Sequence, residues 1–223
     1  MSLKAKRYIF FTIWFLIIIS GPLTVFLNTP YENALSNEKV LINVFQRTTG
    51  LLAFSLIFIQ IVIGAYMDKW VQIIGAKAYN LHVTQGLFTY GFVLVHPILN
   101  SALTYAVSKS VRDVILGLVP SFSSQREVFL VYGRVAFVLV TISVIAGYFR
   151  TKPFFRKNWK AFHILNYLSF ILVAFHSKGV GSDMGSFPFN FLYWIFVSGV
   201  ILTILHKIYV KYVKNYLVAH EAS

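Results

Sequence analysis

The chain has no cysteine. That excludes disulfides, cysteine-ligated iron–sulfur clusters and covalently attached c-type haem. Any metal must be held by histidine, carboxylate or backbone. Charge is scarce too: 12% of residues are charged, with 7 acidic against 20 basic, where a soluble domain carries about 25% charged residues. What is present instead is apolar. The 223 residues are 57% hydrophobic, mean hydropathy is +0.70, and runs of roughly 20 apolar residues recur, enough to cross a ~30 Å hydrocarbon core. The composition describes a polytopic membrane protein in a lipid bilayer, organised as one helical domain over 1–223. The net charge of +13 raises the question of nucleic acid. We exclude it, because the basic residues fall between the apolar runs, where membrane topology places them.

The first run, 8–27, follows Lys4, Lys6 and Arg7. It exceeds the ~7–15-residue apolar core of a signal peptide, and no small-x-small cleavage site follows. It reads as a helix, with Pro22 a kink near its outer end. Further helices are expected at 48–66, 79–105, 129–148, 159–180 and 189–208, so the expected fold is an all-α six-helix bundle. Between them lie a polar loop at 28–46 and a longer one at 106–127. Within the latter, 111–118 reads as an amphipathic turn on the membrane surface. With the N-terminus inside, the inner segments carry Lys4, Lys6, Arg7, Lys69, Lys77, Arg150, Lys152, Arg156, Lys157, Lys160, Lys207, Lys211 and Lys214. The outer ones carry Lys39, Arg47, Lys109, Arg112, Arg126 and Lys178. This bias predicts both termini in the cytoplasm.

A short internal repeat is visible. Gly50-x-x-Ala53-Phe54-x-Leu56, with Gly64 fourteen residues after Gly50, matches Gly133-x-x-Ala136-Phe137-x-Leu139, with Gly147 fourteen after Gly133. Each copy leads through a basic loop into a helix with two histidines. The two hairpins would be related by an axis along the membrane normal. Chance likeness among apolar helices is the competing explanation.

The histidines carry the chemistry. His82 and His96 are fourteen residues apart; His163 and His176 are thirteen apart. At ~1.5 Å per residue these separations are about 21 Å and 19–20 Å along their helices. His82 then pairs with His163 near the cytoplasm and His96 with His176 near the outer face. Two facing imidazoles are the usual axial set of a low-spin b-type haem, so the expectation is two haem b stacked across the membrane. The azimuths agree less well. Fourteen residues return His96 to within about 40° of His82, whereas thirteen leave His176 about 140° from His163. A distortion of the fifth helix, or different directions of approach, must absorb this. A lone intramembrane histidine is often only a buried polar residue. Four in matched pairs point to function, because ionisable groups are costly in lipid. Zinc fits less well, with two histidines per site and no carboxylate near.

These residues resemble a known family. His82-x13-His96, Trp159-x3-His163-x12-His176 and Gln46-Arg47-x-x-Gly50-x-x-Ala53 look like the ferric reductase transmembrane domain, the membrane part of NADPH oxidases and ferric-chelate reductases. The likeness spans the chain from the first helix to the sixth. It implies a membrane haem oxidoreductase that moves electrons from a cytoplasmic flavin through an inner haem on His82 and His163, then an outer one on His96 and His176, to ferric iron, oxygen or another outer oxidant. In that family the last helix leads into a module binding FAD and NAD(P)H. Only a short tail follows 189–208 here, with no Gly-rich loop. FAD and NAD(P)H would therefore act through a partner, a cytoplasmic flavin reductase, or the chain is a fragment. The expected setting is a bacterial or archaeal plasma membrane.

Other residues are secondary candidates. Arg134 and Arg47 are possible haem-propionate partners. Arg150, Lys152 and Lys157 are candidates for inner propionates or for docking an acidic flavoprotein. Phe88 and Phe170 lie near the midpoints of the histidine pairs. Trp14, Trp70, Trp194 and His206 read as structural, and His220 has no role. Asn100 stands where the oxidases carry a second polar group after the outer histidine, which speaks against oxygen chemistry. Two alternatives stay open: a cytochrome b subunit of a quinone-linked or methionine sulfoxide reductase-type complex, and a haem-free transporter using His and Arg as a path.

Overall fold

The computed structural model describes residues 1–214, and these are mostly helical, with no strand among them. His220 lies outside the described residues. The helices are α1 (Leu3–Asn28), α2 (Tyr31–Ser36), α3 (Glu38–Ala65), α4 (Met67–Ile74), α5 (Lys77–Ser108), α6 (Val111–Leu118), α7 (Gln125–Tyr148), α8 (Pro153–His163), α9 (Leu165–Val180) and α10 (Phe189–Ile208). Among the described residues five are long and apolar enough to cross a membrane: α1, α3, α5, α7 and α10 with its continuation to Tyr212. The chain is an integral membrane protein.

Several helices begin before their apolar runs, and polar caps are the reason. Asn37 accepts from the Lys39 N–H and starts α3 inside the expected polar loop. Ser124 accepts from the Glu127 N–H and starts α7 at Gln125. Such caps satisfy N–H groups that a helix start leaves bare. The surface turn expected at 111–118 is helix α6, capped by Ser110. The basic loop before the fifth expected helix is itself helical. Pro153 occupies the first turn of α8, where its missing N–H costs nothing.

The unbroken helix expected over 159–180 is absent. It is interrupted at Ile164, between α8 and α9. The Tyr167 N–H donates to the Ile164 carbonyl three residues back, a tighter bond than the α-helical one. At 16 residues α9 is about 24 Å long, short of the ~30 Å core.

α3 runs along α5, and α7 along α9, as two hairpins. The hairpins meet where α9 reaches α3 and α5 reaches α7, and α10 covers α3 and α9. The core is aromatic. Phe54 of α3 stacks on Phe170 of α9 with ring centres 5.0 Å apart, and Phe189, Tyr193 and Phe196 of α10 close around them. α1 lies on α3 through small residues: Ser20, Gly21 and Thr24 are buried, and a Cβ on Gly21 would stand 2.9 Å from the Leu51 Cβ. In lipid this close approach, rather than expulsion of water, is what brings helices together.

Candidate functional site

α5, which carries His82 and His96, and α9, which carries His176, do not pack closely on each other; each rests on its own hairpin partner, and His163 ends α8. Their imidazoles come together in pairs. His82 and His163 have ring centres 6.1 Å apart at 76°; His96 and His176 have theirs 6.4 Å apart at 86°. Ring atoms lie only about 1 Å from their centre, so neither pair is close enough to hydrogen bond to each other.

Each imidazole is seated on a glycine of the neighbouring helix. A Cβ on Gly50 would stand 2.8 Å from His96, on Gly64 3.1 Å from His82, on Gly133 2.6 Å from His176 and on Gly147 3.5 Å from His163. The fourteen-residue glycine spacing of the repeat is thus the spacing of two ring seats on α3 and of two more on α7. The outer rings are also held by hydrogen bonds. His96 Nδ1 donates to the Gln46 carbonyl at 2.9 Å, and His176 Nδ1 donates to the Phe129 carbonyl at 3.0 Å. Gln46 and Phe129 each lie four residues before an outer glycine, so the repeat extends to these carbonyls. A carbonyl only accepts, which places the proton on Nδ1 and leaves Nε2 with a bare lone pair. The Nε2 atoms of all four histidines have no hydrogen-bond partner among the described residues. His82 Nδ1 and His163 Nδ1 are buried and also unpartnered.

The interruption at Ile164 falls between the two histidines whose azimuths disagree. His163 is the last residue of α8 and His176 belongs to α9, so one helical phase does not bind them. The fully buried Ser143 of α7 donates its hydroxyl to the Phe162 carbonyl at 2.9 Å, just before the break.

The arginines differ. Arg134 follows Gly133 and lies near the outer pair; its Nη2 donates to the Gly117 carbonyl of α6, while Nη1 is buried without a partner. Arg47 is engaged elsewhere. It forms a two-pronged ion pair with Asp183, in the turn after α9, and donates to Thr29 Oγ1 at 2.7 Å. Asn28 donates to the same carboxylate at 2.8 Å. Burial alone would raise the Asp183 carboxyl; the bonds from Arg47 and Asn28 and the Arg47 charge outweigh it and hold the carboxyl below its usual value. At the opposite end Arg150 donates to the Gly147 carbonyl at 3.2 Å and to Tyr79 Oη, beside the inner pair. Lys152 and Lys157 are exposed. Phe170 sits in the aromatic core, and Phe88 and Asn100 are exposed. Trp14 donates to Gln85, Trp70 to the Val62 carbonyl, and His206 lies 3.4 Å from Tyr66 Oη.

Among the described residues no three His, Asp or Glu side chains gather as a metal cage. Each site offers two imidazoles. Comparison with protein families, curated proteins and solved structures finds no match for this chain. In the sequence the seating glycines show only as a repeat, and Asp183 has no motif around it.

Proposed function

We propose that the chain conducts single electrons across the membrane through two b-type haems, one between His82 and His163 and one between His96 and His176. The observation that carries this reading is the pair of ring-centre distances. An iron bound about 2 Å from a nitrogen of each ring, with each nitrogen about 1 Å from its ring centre, needs centres about 6 Å apart. Both pairs have that spacing. Two imidazoles per site also suit a cofactor that brings its own four equatorial ligands. Held by His82 with His163 and by His96 with His176, haem b would supply one-electron redox chemistry.

The chain's residues do the positioning. Gly50, Gly64, Gly133 and Gly147 let the rings lie against α3 and α7. The Gln46 and Phe129 carbonyls fix the tautomer that leaves Nε2 free, the arrangement that orients metal-ligating histidines generally. The buried, unpartnered Nη1 of Arg134 is a place for a haem carboxylate near the outer pair. Arg47, committed to Asp183, is left a structural role. α8 and α9 together make the sixth crossing, with both termini on the cytoplasmic side of a prokaryotic plasma membrane. The donor is a cytoplasmic flavin reductase using FAD and NAD(P)H, meeting the exposed bases of α8. The acceptor is an oxidant on the outer face.

A reduced-minus-oxidised spectrum of the purified protein, with haem measured per chain, tests this. The expected ratio is about two low-spin b haems, falling to about one in His96→Ala or His176→Ala. A folded, colourless protein from haem-replete cells sinks the proposal and leaves the histidine-bearing transporter.

A further inference from the structure

Two open grooves lie side by side at the basic end of the bundle, sharing Phe11. One, of about 280 Å³, runs between α1 and the start of α5 and is lined by Phe11, Ile74, Lys77, Asn80, Leu81 and Thr84. The other, of about 240 Å³, adds Lys4, Arg7 and Tyr8. We propose that together they bind an anionic phospholipid, its phosphate held by Arg7, Lys77 and Lys4 and its acyl chain lying along Phe11 and Leu81.

Three features point to that occupant. The first is charge: no acidic residue lines either groove. The second is an unmet polar stripe. Lys77, Asn80 and Thr84 fall at i, i+3 and i+7, along one side of α5. None of their side chains has a hydrogen bond or ion pair in the protein. All three are exposed, and phosphate and ester oxygens are acceptors that a lipid headgroup can bring to them. The third is preorganisation. Arg7 Nε donates to the Ile73 carbonyl at 2.7 Å, which fixes the guanidinium at the mouth with its Nη donors unused. The geometry also disfavours a soluble ligand, which buries most of its surface in an enclosed pocket. An open groove on a membrane helix suits a molecule whose remaining surface the bilayer covers. This inference concerns the face toward α1 and stands apart from the histidine pairs.

The test uses the full-length protein as isolated, in a neutral detergent. Native mass spectrometry and thermal unfolding are followed with dioleoyl phosphatidylglycerol, dioleoyl phosphatidylcholine or inorganic phosphate. We expect phosphatidylglycerol to bind at one per chain, at least about tenfold more tightly than phosphatidylcholine, and to raise the unfolding temperature. Lys77→Gln and Arg7→Gln should each weaken that binding about fivefold, with Lys39→Gln, in the first turn of α3, unchanged. Lys77 has no protein partner, so its variant reads the site even where loss of the Arg7–Ile73 bond unsettles the fold. Equal binding of phosphatidylcholine, competition by millimolar phosphate, or phosphatidylglycerol binding that survives Lys77→Gln would each overturn the proposal.

Discussion

One methyl group is enough to test how the imidazoles are seated. In an ordinary exposed helix position Gly→Ala stabilises by about 1 kcal/mol. Against a packed ring the added carbon overpacks at about 1–3 kcal/mol. The four seats differ in room, so the balance should change sign along the series. Gly133 and Gly50, at 2.6 and 2.8 Å from their rings, should lose: the Ala variants are expected to drop to about one haem per chain, with the inner one kept. Gly64, at 3.1 Å, should be intermediate, and Gly147, at 3.5 Å, should tolerate Ala with full haem. Haem-to-chain ratios across the four variants decide it; equal behaviour would mean the glycines serve helix packing alone. The Asp183 carboxylate makes a separate claim at the same scale. It is buried, and so is its Arg47 partner for the most part. Removing one member of a buried pair costs about 3–5 kcal/mol, against about 0–1 for an exposed pair. Asp183→Ala should therefore lower the unfolding temperature clearly, and replacing Arg47 as well should recover part of the loss. The pH dependence has a definite sign. The folded carboxyl titrates below its usual value of 3.8, so its stabilisation is complete above that value and is lost as pH falls through the folded one. A thermal scan from pH 7 downward should show an acid-side decline that Asp183→Ala lacks.

At the scale of the element, the break at Ile164 is the feature that sequence periodicity missed. Apolar runs mark where lipid is, and they were legible: the run at 189–208 lies on α10, while the amphipathic stretch at 111–118, expected as a turn, is helix α6. They say little about where the backbone stops being regular, because lipid does not register a shift of helical phase. The thirteen-residue spacing of His163 and His176 did register it, as a mismatch of azimuth without a place. The caps at Asn37 and Ser124 were legible as residue types, yet they sit in polar stretches that hydropathy assigns to loops. Ser143 is harder still, since a serine inside an apolar helix has no sequence context that names its partner. Its bond to the Phe162 carbonyl holds the strand of chain that presents His163. Ser143→Ala should cost about 1 kcal/mol, rising toward 3 with the carbonyl left dry. The expected signature is confined to the inner site: a weakened or shifted inner-haem band, an unchanged outer one, and recovery in Ser143→Thr. A uniform change in both bands would assign Ser143 to general packing.

For the whole molecule, the repeat legible in the glycines becomes two hairpins, α3 with α5 and α7 with α9, that bring the histidines into two pairs. α5 leans on α3 and α9 on α7, while the contacts joining the hairpins are fewer and run mainly through α10 and the Phe54–Phe170 stack. On the proposed function, a haem held between each pair would add to what joins the hairpins. A ligand bound to the folded state alone stabilises by about 2.7 kcal/mol at a hundredfold excess over its Kd. For a chain of this size each kcal/mol is about 2–4 °C in unfolding temperature. Protein made in haem-starved cells should thus keep its helical circular dichroism, melt several degrees lower, and be cut faster by protease in the segment linking the hairpins, around α6. Adding hemin should restore both the melting temperature and a low-spin b-type spectrum, and should do so at only about half the amplitude in His96→Ala. An apo protein that melts at the same temperature, and gains nothing from hemin, would show that the helices close on one another unaided, and the paired imidazoles would then be partners in packing rather than the two ends of a ligand's reach.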